Sequence, residues 1–514
     1  MTFTLKNTPS PGQTRAYRLW LGLWLATLIA ATPFYQTLAQ YQTDQAENNA
    51  AAIPPAMTGS EFGQTLETVM PSLHLDKDPP AGLDKNLVQL ILTGPAFGDK
   101  NVHILDGLDK LQYLELSTTG ISDRSLASIA NLKALRVLRI DRCLKLKGGN
   151  LALLASLPHL QFLSLRGLGL SDACAPALAQ IKTLKHLVLA DNHVGYQTLR
   201  RIAILPELDA LSLAHCGEID NECLSLIASM KRLKQLSLAA VNLNNEPLLD
   251  LAAANQIEDL DLSKNKIGDP ALACLDELTN LRKLDISMTR ASNYTLHKLH
   301  TCHHLEYLDL SATRIDSRGL EHLNAFPKLS CLAINGLIAN DRALAAAGPL
   351  SKLIVLEAQH IDVVDDLNVL ANFPHLKRLS LVQDQVTAKA LANIARLHDL
   401  QFLSLMSADI EPSGLAKLGD LTKLSSLDLS GTKCGDAHLA FLTSLPELRT
   451  LSLANTKVTN QITDVLKAMP ELTQLELSGT GVTLKREQVE AVCHKLHTLD
   501  LPYGTTSGLK QAAK

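Results

Sequence analysis

The sequence predicts an α/β solenoid, in which short strands alternate with short helices and the strands form one continuous parallel β-sheet. Three observations lead to this prediction: a recurring eleven-residue phrase, a period close to 24 residues, and an aromatic content of only 4% beside 46% apolar residues. The phrase is "LEYLDLSATRI" at 305–315, and related forms occur at 424–434, 448–458 and 472–482. A fixed period of this length is typical of solenoids, because each unit buries its apolar face against the next.

Eighteen copies of the phrase align on their first apolar residue, which is position one of each repeat. Of the seventeen intervals between these starts, fourteen are 24 residues long, two are 25 and one is 23. The starts are Leu87, Leu111, Leu135, Leu160, Leu184, Leu208, Leu233, Ile257, Leu281, Leu305, Leu329, Leu353, Leu376, Leu400, Leu424, Leu448, Leu472 and Leu496. The repeats are therefore predicted to cover residues 87–502, and residues 61–86 are predicted to form an N-terminal cap.

Each repeat combines a strand pattern with a helical pattern. Positions four and six of LxxLxL are apolar and alternate with open positions, which is typical of a strand with one buried face. After position eleven, pairs such as Ser122 and Asp123 can accept hydrogen bonds from the free N–H groups of a helix start. Apolar residues then recur every three residues, as in Leu126, Ile129 and Leu132, so a short helix is predicted to return the chain to the sheet.

Position nine of the repeat holds a small side chain with hydrogen-bonding atoms in most units. It is Asn192 and Asn265 in two repeats, Cys143 and Cys216 in two others, and Thr in several more. We expect these side chains to satisfy backbone groups at the turn that leaves the strand.

The cysteines of the chain indicate buried thiols. There are nine, they form no CxxC pair, and most fall where the repeat requires a small apolar residue. Free, buried cysteines are therefore favoured over a disulfide framework or a zinc site.

The LxxLxL phrase and the LSxTxIxD form of the 24-residue unit resemble the leucine-rich repeat family, in particular the repeats of bacterial exported and surface proteins. The resemblance covers about residues 87–502. It implies a right-handed horseshoe with the sheet on its concave face, short helices on its convex face, and binding as the usual function. The cysteine-rich caps of animal extracellular members and the GxIP signature of plant receptors are absent from the sequence.

The N-terminal segment indicates export from the cytoplasm. Residues 1–18 contain Lys and Arg but no acidic residue, and residues 19–35 are an uncharged apolar run. A basic flank before an apolar segment is typical of a signal anchor or a signal peptide. A retained anchor makes the chain a single-pass membrane protein with residues 1–18 in the cytoplasm and the repeats outside. Cleavage near "TLA" at 37–39 makes it secreted or periplasmic, and the sequence leaves both interpretations open.

The parts of the chain outside the repeats leave little room for an enzyme domain. Residues 36–60 are polar and rich in Gln and Ala, which predicts a flexible linker, and residues 503–514 form a short C-terminal tail. No phosphate-binding loop, nucleophile elbow or HExxH motif occurs, so we expect no enzyme activity and no cofactor. The ligand-rich stretch "HKLHTCHH" at 297–304 is expected on the convex surface rather than around a metal ion.

These features predict a non-enzymatic binding or scaffold protein displayed outside the cytoplasm, with a protein or an extended polymer on its concave face. The net charge of −4 gives no reason to expect nucleic-acid binding. The alternative is an adaptor or effector delivered to a host, which would need a further helical module near residues 40–86. The membrane contact would be made by residues 19–35 only, and the oligomeric state is not indicated.

The candidate partner-binding residues occupy the open strand positions. They are Tyr113, Arg139, Phe162 and Arg166 in the first third, Asp259, Asp261, Lys283, Asp285, Tyr307 and Asp309 in the middle, and Phe402 later. Asp261, Asp285 and Asp309 occupy position five of three successive repeats. A column of solvent-exposed carboxylates is predicted to attract a cationic partner, such as a Lys/Arg-rich segment or Ca²⁺.

Overall fold

The computed structural model of the chain describes residues 72–74, 83–382 and 385–502. Its strands form one parallel sheet of nineteen strands and a separate two-stranded sheet in which Gln385–Val386 pairs with Asp409–Ile410. The strands are β1 (Ser72–His74), β2 (Gln89–Thr93), β3 (Tyr113–Ser117), β4 (Val137–Asp141), β5 (Phe162–Ser164), β6 (His186–Val188), β7 (Ala210–Ser212), β8 (Gln235–Ser237), β9 (Asp259–Asp261), β10 (Lys283–Asp285), β11 (Tyr307–Asp309), β12 (Cys331–Ala333), β13 (Val355–Glu357), β14 (Arg378–Ser380), β15 (Gln385–Val386), β16 (Phe402–Ser404), β17 (Asp409–Ile410), β18 (Ser426–Asp428), β19 (Thr450–Ser452), β20 (Gln474–Glu476) and β21 (Thr498–Asp500).

Short helical segments return the chain from the end of one strand to the start of the next. The α-helices are α1 (Leu126–Ile129), α2 (Ala175–Leu178), α3 (Tyr196–Ile202), α4 (Leu224–Ser229), α5 (Leu249–Ala252), α6 (Asp269–Leu272), α7 (Asn293–Lys298), α8 (Asp341–Leu344), α9 (Ala388–Ile394), α10 (Ile462–Leu466) and α11 (Arg486–Glu490). The 3₁₀ segments are Val102–Leu105, Asp123–Ser125, Leu151–Ser156, Asp172–Cys174, Asn221–Cys223, Ala273–Glu277, Leu299–Thr301, Gly319–Ala325, Ala345–Ala347, Asn368–Asn372, Pro412–Asp420, Asp436–His438 and Ala440–Ser444. Segments this short depend on packing rather than on intrinsic helix stability.

The core confirms the predicted α/β solenoid. Leu305, Leu308 and Leu310, at positions one, four and six of one repeat, are completely buried, and so are Leu320 and Leu323 in the helical segment of the same repeat. The same positions are buried in repeat after repeat and join into one continuous cluster. Each unit therefore closes the core of its neighbour, and stability grows with the number of stacked units.

The parallel sheet extends one strand beyond the first predicted repeat. Strand β1 pairs with β2, with Ser72 opposite Ile91 and His74 opposite Thr93. This strand lies inside the segment 61–86, for which the cap function stays a prediction. The predicted boundaries at 1–18, 36–60 and 503–514 lie outside the described residues and also stay predictions.

The turn after each strand uses a backbone conformation that the sequence pattern does not show. Position eight has a positive φ in most repeats, for example 56° at Thr118, 58° at Asp191 and 56° at Met288. The left-handed conformation is uncommon for residues other than glycine, so the neighbouring hydrogen bonds must hold it.

The side chain at position nine supplies some of the hydrogen bonds that stabilise this turn, as predicted. The Asn192 side-chain nitrogen donates to the carbonyl groups of Leu165 and Leu189, both at 2.8 Å, and its oxygen accepts from the Leu170 N–H at 2.9 Å. Thr432 Oγ1 donates to the Leu429 carbonyl at 2.6 Å in another repeat. Different residue types thus satisfy the same buried backbone groups.

Position thirteen joins consecutive repeats, which corrects part of the predicted helix capping. Ser122 accepts from the Arg124 N–H in its own repeat, as expected. The aspartate that follows it, Asp123, instead accepts from the backbone of the next repeat, from the Gly148 N–H at 2.8 Å. We call the aspartates at position thirteen that bond the next repeat clamp aspartates: Asp99, Asp123, Asp172, Asp269, Asp341 and Asp436.

The prediction of a single-pass membrane protein is wrong. Among residues 72–74, 83–382 and 385–502, no helix is both long enough and apolar enough to cross a bilayer. The apolar run 19–35 on which that prediction rested lies outside the described residues.

All nine cysteines carry free thiols, and eight of them are buried, while Cys331 is half-buried. Burial raises the pKa of several of these thiols, to about 11 for Cys216 and Cys302. Such thiols are small core residues with little thiolate at neutral pH.

Candidate functional site: the open face of the sheet

The open strand positions stand in register from one strand to the next. Position three forms one row across the sheet, in which Tyr113, Val137 and Phe162 are consecutive neighbours. Position five forms a second row, in which Asp261, Asp285 and Asp309 are consecutive neighbours. Because parallel strands lie about 4.8 Å apart, nineteen of them give this face a length of roughly 90 Å.

The aromatic part of the face is less exposed than the sequence predicts. Tyr113, Val137 and Phe162, which we call the aromatic patch, are only 2%, 6% and 3% exposed and form a cluster separate from the main core. Ile91 and Val188 pack against its two ends. Tyr113 and Phe162 were predicted as partner-binding residues at open strand positions, but side chains on adjacent strands cover one another, so only the outer surface of the cluster faces solvent.

Charged side chains surround the aromatic patch and are largely paired. The Tyr113 hydroxyl donates to Glu115 at 2.7 Å, and burial together with this carboxylate raises the pKa of Tyr113. Arg139 lies 3.9 Å from Glu115 and 3.8 Å from Asp141, and its guanidinium carbon is 5.8 Å from the centre of the Phe162 ring. The predicted residue Arg139 therefore belongs to a polar network that supports the patch.

Arg166 lies at the edge of the same region and is exposed. Its Nε donates to an oxygen of Asp191 at 2.6 Å. Its backbone N–H donates to Asp141 at 3.2 Å, so the Arg166 and Arg139 sites share one carboxylate. An exposed ion pair of this kind contributes little to folding stability.

A cavity of about 280 Å³ opens beside the aromatic patch. It is lined by Val88, Gln89, Gln112, Tyr113, Arg136, Val137, Gln161, Phe162, Lys185 and His186. These residues occupy positions two and three of five successive repeats. Because the position-two residues lie outside the LxxLxL apolar set, the sequence prediction did not include Arg136 or Lys185.

We define the acidic column as Asp261, Asp285 and Asp309. The carboxylates of the column accept hydrogen bonds from the backbone of the segments that carry them. Each carboxylate accepts from the backbone N–H two residues later, at 3.0 Å for Asp261 and at 2.8 Å for Asp285 and Asp309. Ser237 on the preceding strand donates to Asp261 at 2.8 Å. The three side chains are half-buried rather than fully exposed.

Burial changes the pKa values of this region, which corrects the expectation that the carboxylates of the column are solvent-exposed. Desolvation, followed by repulsion from Asp309 and Asp261, raises the pKa of Asp285 well above its ordinary value. Desolvation also raises the pKa of Asp309. Asp285 and Asp309 therefore retain their protons more readily than exposed aspartates would.

The other predicted residues of the middle region adjoin the column. Asp259, Lys283 and Tyr307 are consecutive neighbours in the position-three row, and all three are half-buried. Burial raises the pKa of Asp259 to about 6, although Lys283 and Arg282 lower it in part. Phe402 is half-buried as well, and the Arg378 guanidinium carbon lies 4.0 Å from the centre of its ring.

Two charged residues of this face were missed by the sequence prediction. Glu357 at position five lies two strands beyond Asp309, and burial followed by repulsion from Asp309 raises its pKa to about 8. Arg378 is buried at position three, between Val355 and Phe402. A comparison of position five in every repeat, rather than in consecutive acidic repeats alone, could have found Glu357.

The described residues offer no arrangement for a metal ion. No group of three or more His, Cys, Asp or Glu side chains within residues 83–382 and 385–502 is placed to hold one. The acidic column therefore does not support the predicted Ca²⁺. In the stretch 297–304, Cys302 is buried in the core while His303 and His304 are exposed, so these ligands point apart.

These observations define a class of protein: a solenoid whose strands present long rows of side chains on one face. The family model described as "Leucine-rich repeat region" matches residues 116–387, just over half of the chain. The chain belongs to the leucine-rich repeat family, which confirms the family resemblance of the sequence. The family and the fold indicate a protein-binding scaffold, and members are typically non-enzymatic.

Several solved structures are similar to the chain at low sequence identity. A leucine-rich repeat protein of Leptospira interrogans is 21% identical, with 77% of this chain and 91% of that chain covered and a TM-score of 0.42. An internalin from Listeria monocytogenes is 18% identical, with 74% and 89% covered and a TM-score of 0.36. The mouse RP105/MD-1 complex gives 17% identity, 79% and 77% coverage and a TM-score of 0.49. No curated protein sequence matches the chain.

Proposed function

We propose that the chain is a non-enzymatic binding protein that holds an extended protein partner along the open, concave face of its sheet. The observation that carries this proposal is the register of the strands, which aligns aromatic and charged side chains into continuous rows. A standard protein interface buries about 800 Å² on each partner, and a face roughly 90 Å long can supply such an area without any loop insertion.

The proposed contacts lie in two regions of opposite character. The aromatic patch with Arg139 and Arg166 forms one region, and the acidic column with Asp259, Lys283 and Tyr307 forms the other. Between them the face carries small side chains: Ala210, Ser212, Ala214, Ser237 and Ala239. A partner segment rich in Lys or Arg would meet the acidic column, because a cation restores the charged form of carboxylates that burial disfavours.

The test is a selection of peptides from a random displayed library on the intact chain. Selected peptides are then measured against the triple variant Asp261→Asn, Asp285→Asn, Asp309→Asn. The matched control is Glu222→Gln, Asp250→Asn, Glu321→Gln, which removes the same charge from exposed residues on the helical side. We expect basic peptides to bind the column variant at least about tenfold more weakly than the control, with a larger difference at low salt.

The contrary result is equally defined. Peptides that bind both triple variants with wild-type affinity, and that also fail to protect strands β3 to β14 from hydrogen exchange, would contradict binding on the concave face.

We further propose that the repeats act outside the cytoplasm after cleavage of the N-terminal segment. The support is the uncharged run 19–35 with its basic flank and the "TLA" at 37–39. We expect the mature protein to begin near Gln40 and to be recovered from the periplasm or the medium, as measured by N-terminal sequencing of fractionated cells. Full-length protein confined to the cytoplasmic fraction would contradict export.

A further inference from the structure

The cavity beside the aromatic patch combines a buried apolar lining with cations at its edge. Tyr113, Val137 and Phe162 are the buried members of its lining, whereas Arg136 is exposed and Lys185 is half-buried. No carboxylate is among the ten lining residues. The cavity therefore favours an apolar group that carries negative charge beside it.

The two cations at this edge are not neutralised within the described part of the chain. Arg166 forms an ion pair with Asp191, and Nε2 of His186 lies 3.1 Å from Asp209, but no ion pair found in residues 83–382 and 385–502 includes Arg136 or Lys185. A cation without an intramolecular partner retains its full charge for a ligand. This contrasts with Arg139, which lies between Glu115 and Asp141.

The size of the cavity limits what it can hold. Pockets for small-molecule ligands usually measure about 300–1,000 Å³, so 280 Å³ falls just below that range. The same volume is ample for one large apolar side chain. Arg136 immediately precedes strand β4, and Lys185 immediately precedes strand β6. These two strands are separated by two strand spacings, or roughly 10 Å. In an extended chain, carboxylates two residues before and two residues after an apolar residue lie on the same face as that residue, with Cα atoms about 13 Å apart, and the long side chains of Arg136 and Lys185 can cover the difference.

We propose that this cavity binds an acidic peptide segment in extended conformation, with one large apolar side chain inserted against Tyr113, Val137 and Phe162 and flanking carboxylates on Arg136 and Lys185. The inference rests on the proposed function and names the chemistry of one part of the partner. The apolar side chain supplies binding free energy by burial, and the two ion pairs fix the register of the segment.

The test uses the full chain and three labelled peptides in fluorescence anisotropy. The first is Gly-Asp-Ser-Phe-Ser-Asp-Gly, the second has Lys in place of both Asp residues, and the third has Ser in place of Phe. The protein variant is Arg136→Glu with Lys185→Glu. The matched control is Arg200→Glu with Arg201→Glu, which reverses the same charge on exposed residues of helix α3.

We expect the first peptide to bind the wild type and the control equally, and the Arg136→Glu, Lys185→Glu variant at least tenfold more weakly. We expect the lysine peptide to prefer that variant over the wild type, and the serine peptide to bind the wild type at least tenfold more weakly than the first. Saturable binding of the first peptide that is unaffected by Arg136→Glu with Lys185→Glu would overturn the inference. A serine peptide as tight as the phenylalanine peptide, or no saturable binding of the first peptide, would also overturn it.

Failure here is distinguishable from failure of the proposed function. If library-selected peptides protect the concave strands from hydrogen exchange but bind the Arg136→Glu, Lys185→Glu variant with unchanged affinity, the face binds partners and only the chemistry assigned to the cavity is wrong. If neither the selected peptides nor the three probes engage the concave strands, both proposals fail.

Discussion

Aspartate occupies two regions of the repeat, and these regions affect its charge in opposite directions. In the acidic column, desolvation and neighbouring carboxylates raise the pKa of Asp285. At the clamp position, burial alone would raise the pKa of Asp172, but hydrogen bonds from Thr198, Gly195 and Gln197 outweigh it and lower the pKa. The chemistry of the side chain is the same, so the balance between desolvation, neighbouring carboxylates and hydrogen-bond donors decides the direction of the pKa shift.

This difference separates a structural role from a binding role. Asp172 accepts from the Gly195 N–H at 2.7 Å and from the Thr198 hydroxyl at 2.6 Å, and it thereby joins one repeat to the next. Asp285 accepts from one backbone N–H at 2.8 Å and faces two further carboxylates. The clamp carboxylate is satisfied by the protein itself, whereas the column carboxylate would gain most from a cation supplied by a partner.

The largest expected effect is on the pH dependence of stability. The raised pKa values of Glu357, about 8, and Asp259, about 6, mean that these groups favour folding when protonated, and this contribution is lost as the pH rises through those values. The lowered pKa values of Asp99, Asp172 and Asp269 mean that the clamp contribution is present above about pH 4 and is lost on further acidification.

We therefore expect the free energy of unfolding to rise as the pH falls from about 8 to about 5 and then to drop steeply below about 4. Urea titrations followed by circular dichroism between these limits measure the profile. A midpoint that is constant from pH 8 to pH 5 would remove the distinction between the two sets of carboxylates.

The next effect is the removal of one clamp. Asp172→Ala leaves the N–H groups of Gly195, Gln197 and Thr198 without the carboxylate that accepts their hydrogen bonds. We therefore expect the free energy of local unfolding around helix α3 to fall by about 2–3 kcal/mol. Faster amide exchange in helix α3 measures that loss repeat by repeat. Asp250→Ala, at an exposed residue of helix α5, is the control and should change exchange little. Equal exchange in the two variants would contradict a clamp.

The smallest effect is the replacement of one column carboxylate. Asp285→Asn removes repulsion with Asp261 and Asp309 while an oxygen remains to accept from the Ser287 N–H, so we expect the free energy of unfolding to rise by about 0.2–1 kcal/mol at neutral pH, the range for cross-strand charge pairs. Asp428→Asn is the matched control. Its strand neighbours at position five are Ser404 and Ser452, so the gain there should be smaller. A loss of stability in Asp285→Asn, or identical changes in both variants, would show that like-charge repulsion is not the cause.

Much of the fold was predictable because its signal is repeated eighteen times, but the site was less so. The LxxLxL spacing identifies the buried leucines and places Asp261, Asp285 and Asp309 side by side. It does not show that Glu357 also approaches Asp309, since Ala333 lies between them in the row. It also fails to show that Tyr113 is buried, because that depends on Val137 on the adjacent strand.

The sequence by itself determined the period, the eighteen repeat starts and the residues that face the core, because apolar spacing is a local property of each repeat, whereas the additional strand β1 has no such phrase and was found only in the structure. Only the tertiary structure decided the left-handed turns at position eight, the destination of the clamp aspartates and the exposure of the concave side chains. Each of these depends on atoms of the neighbouring repeat about 24 residues away. A strand spacing of about 4.8 Å brings those atoms into contact, and that contact sets the burial and the charge of the face.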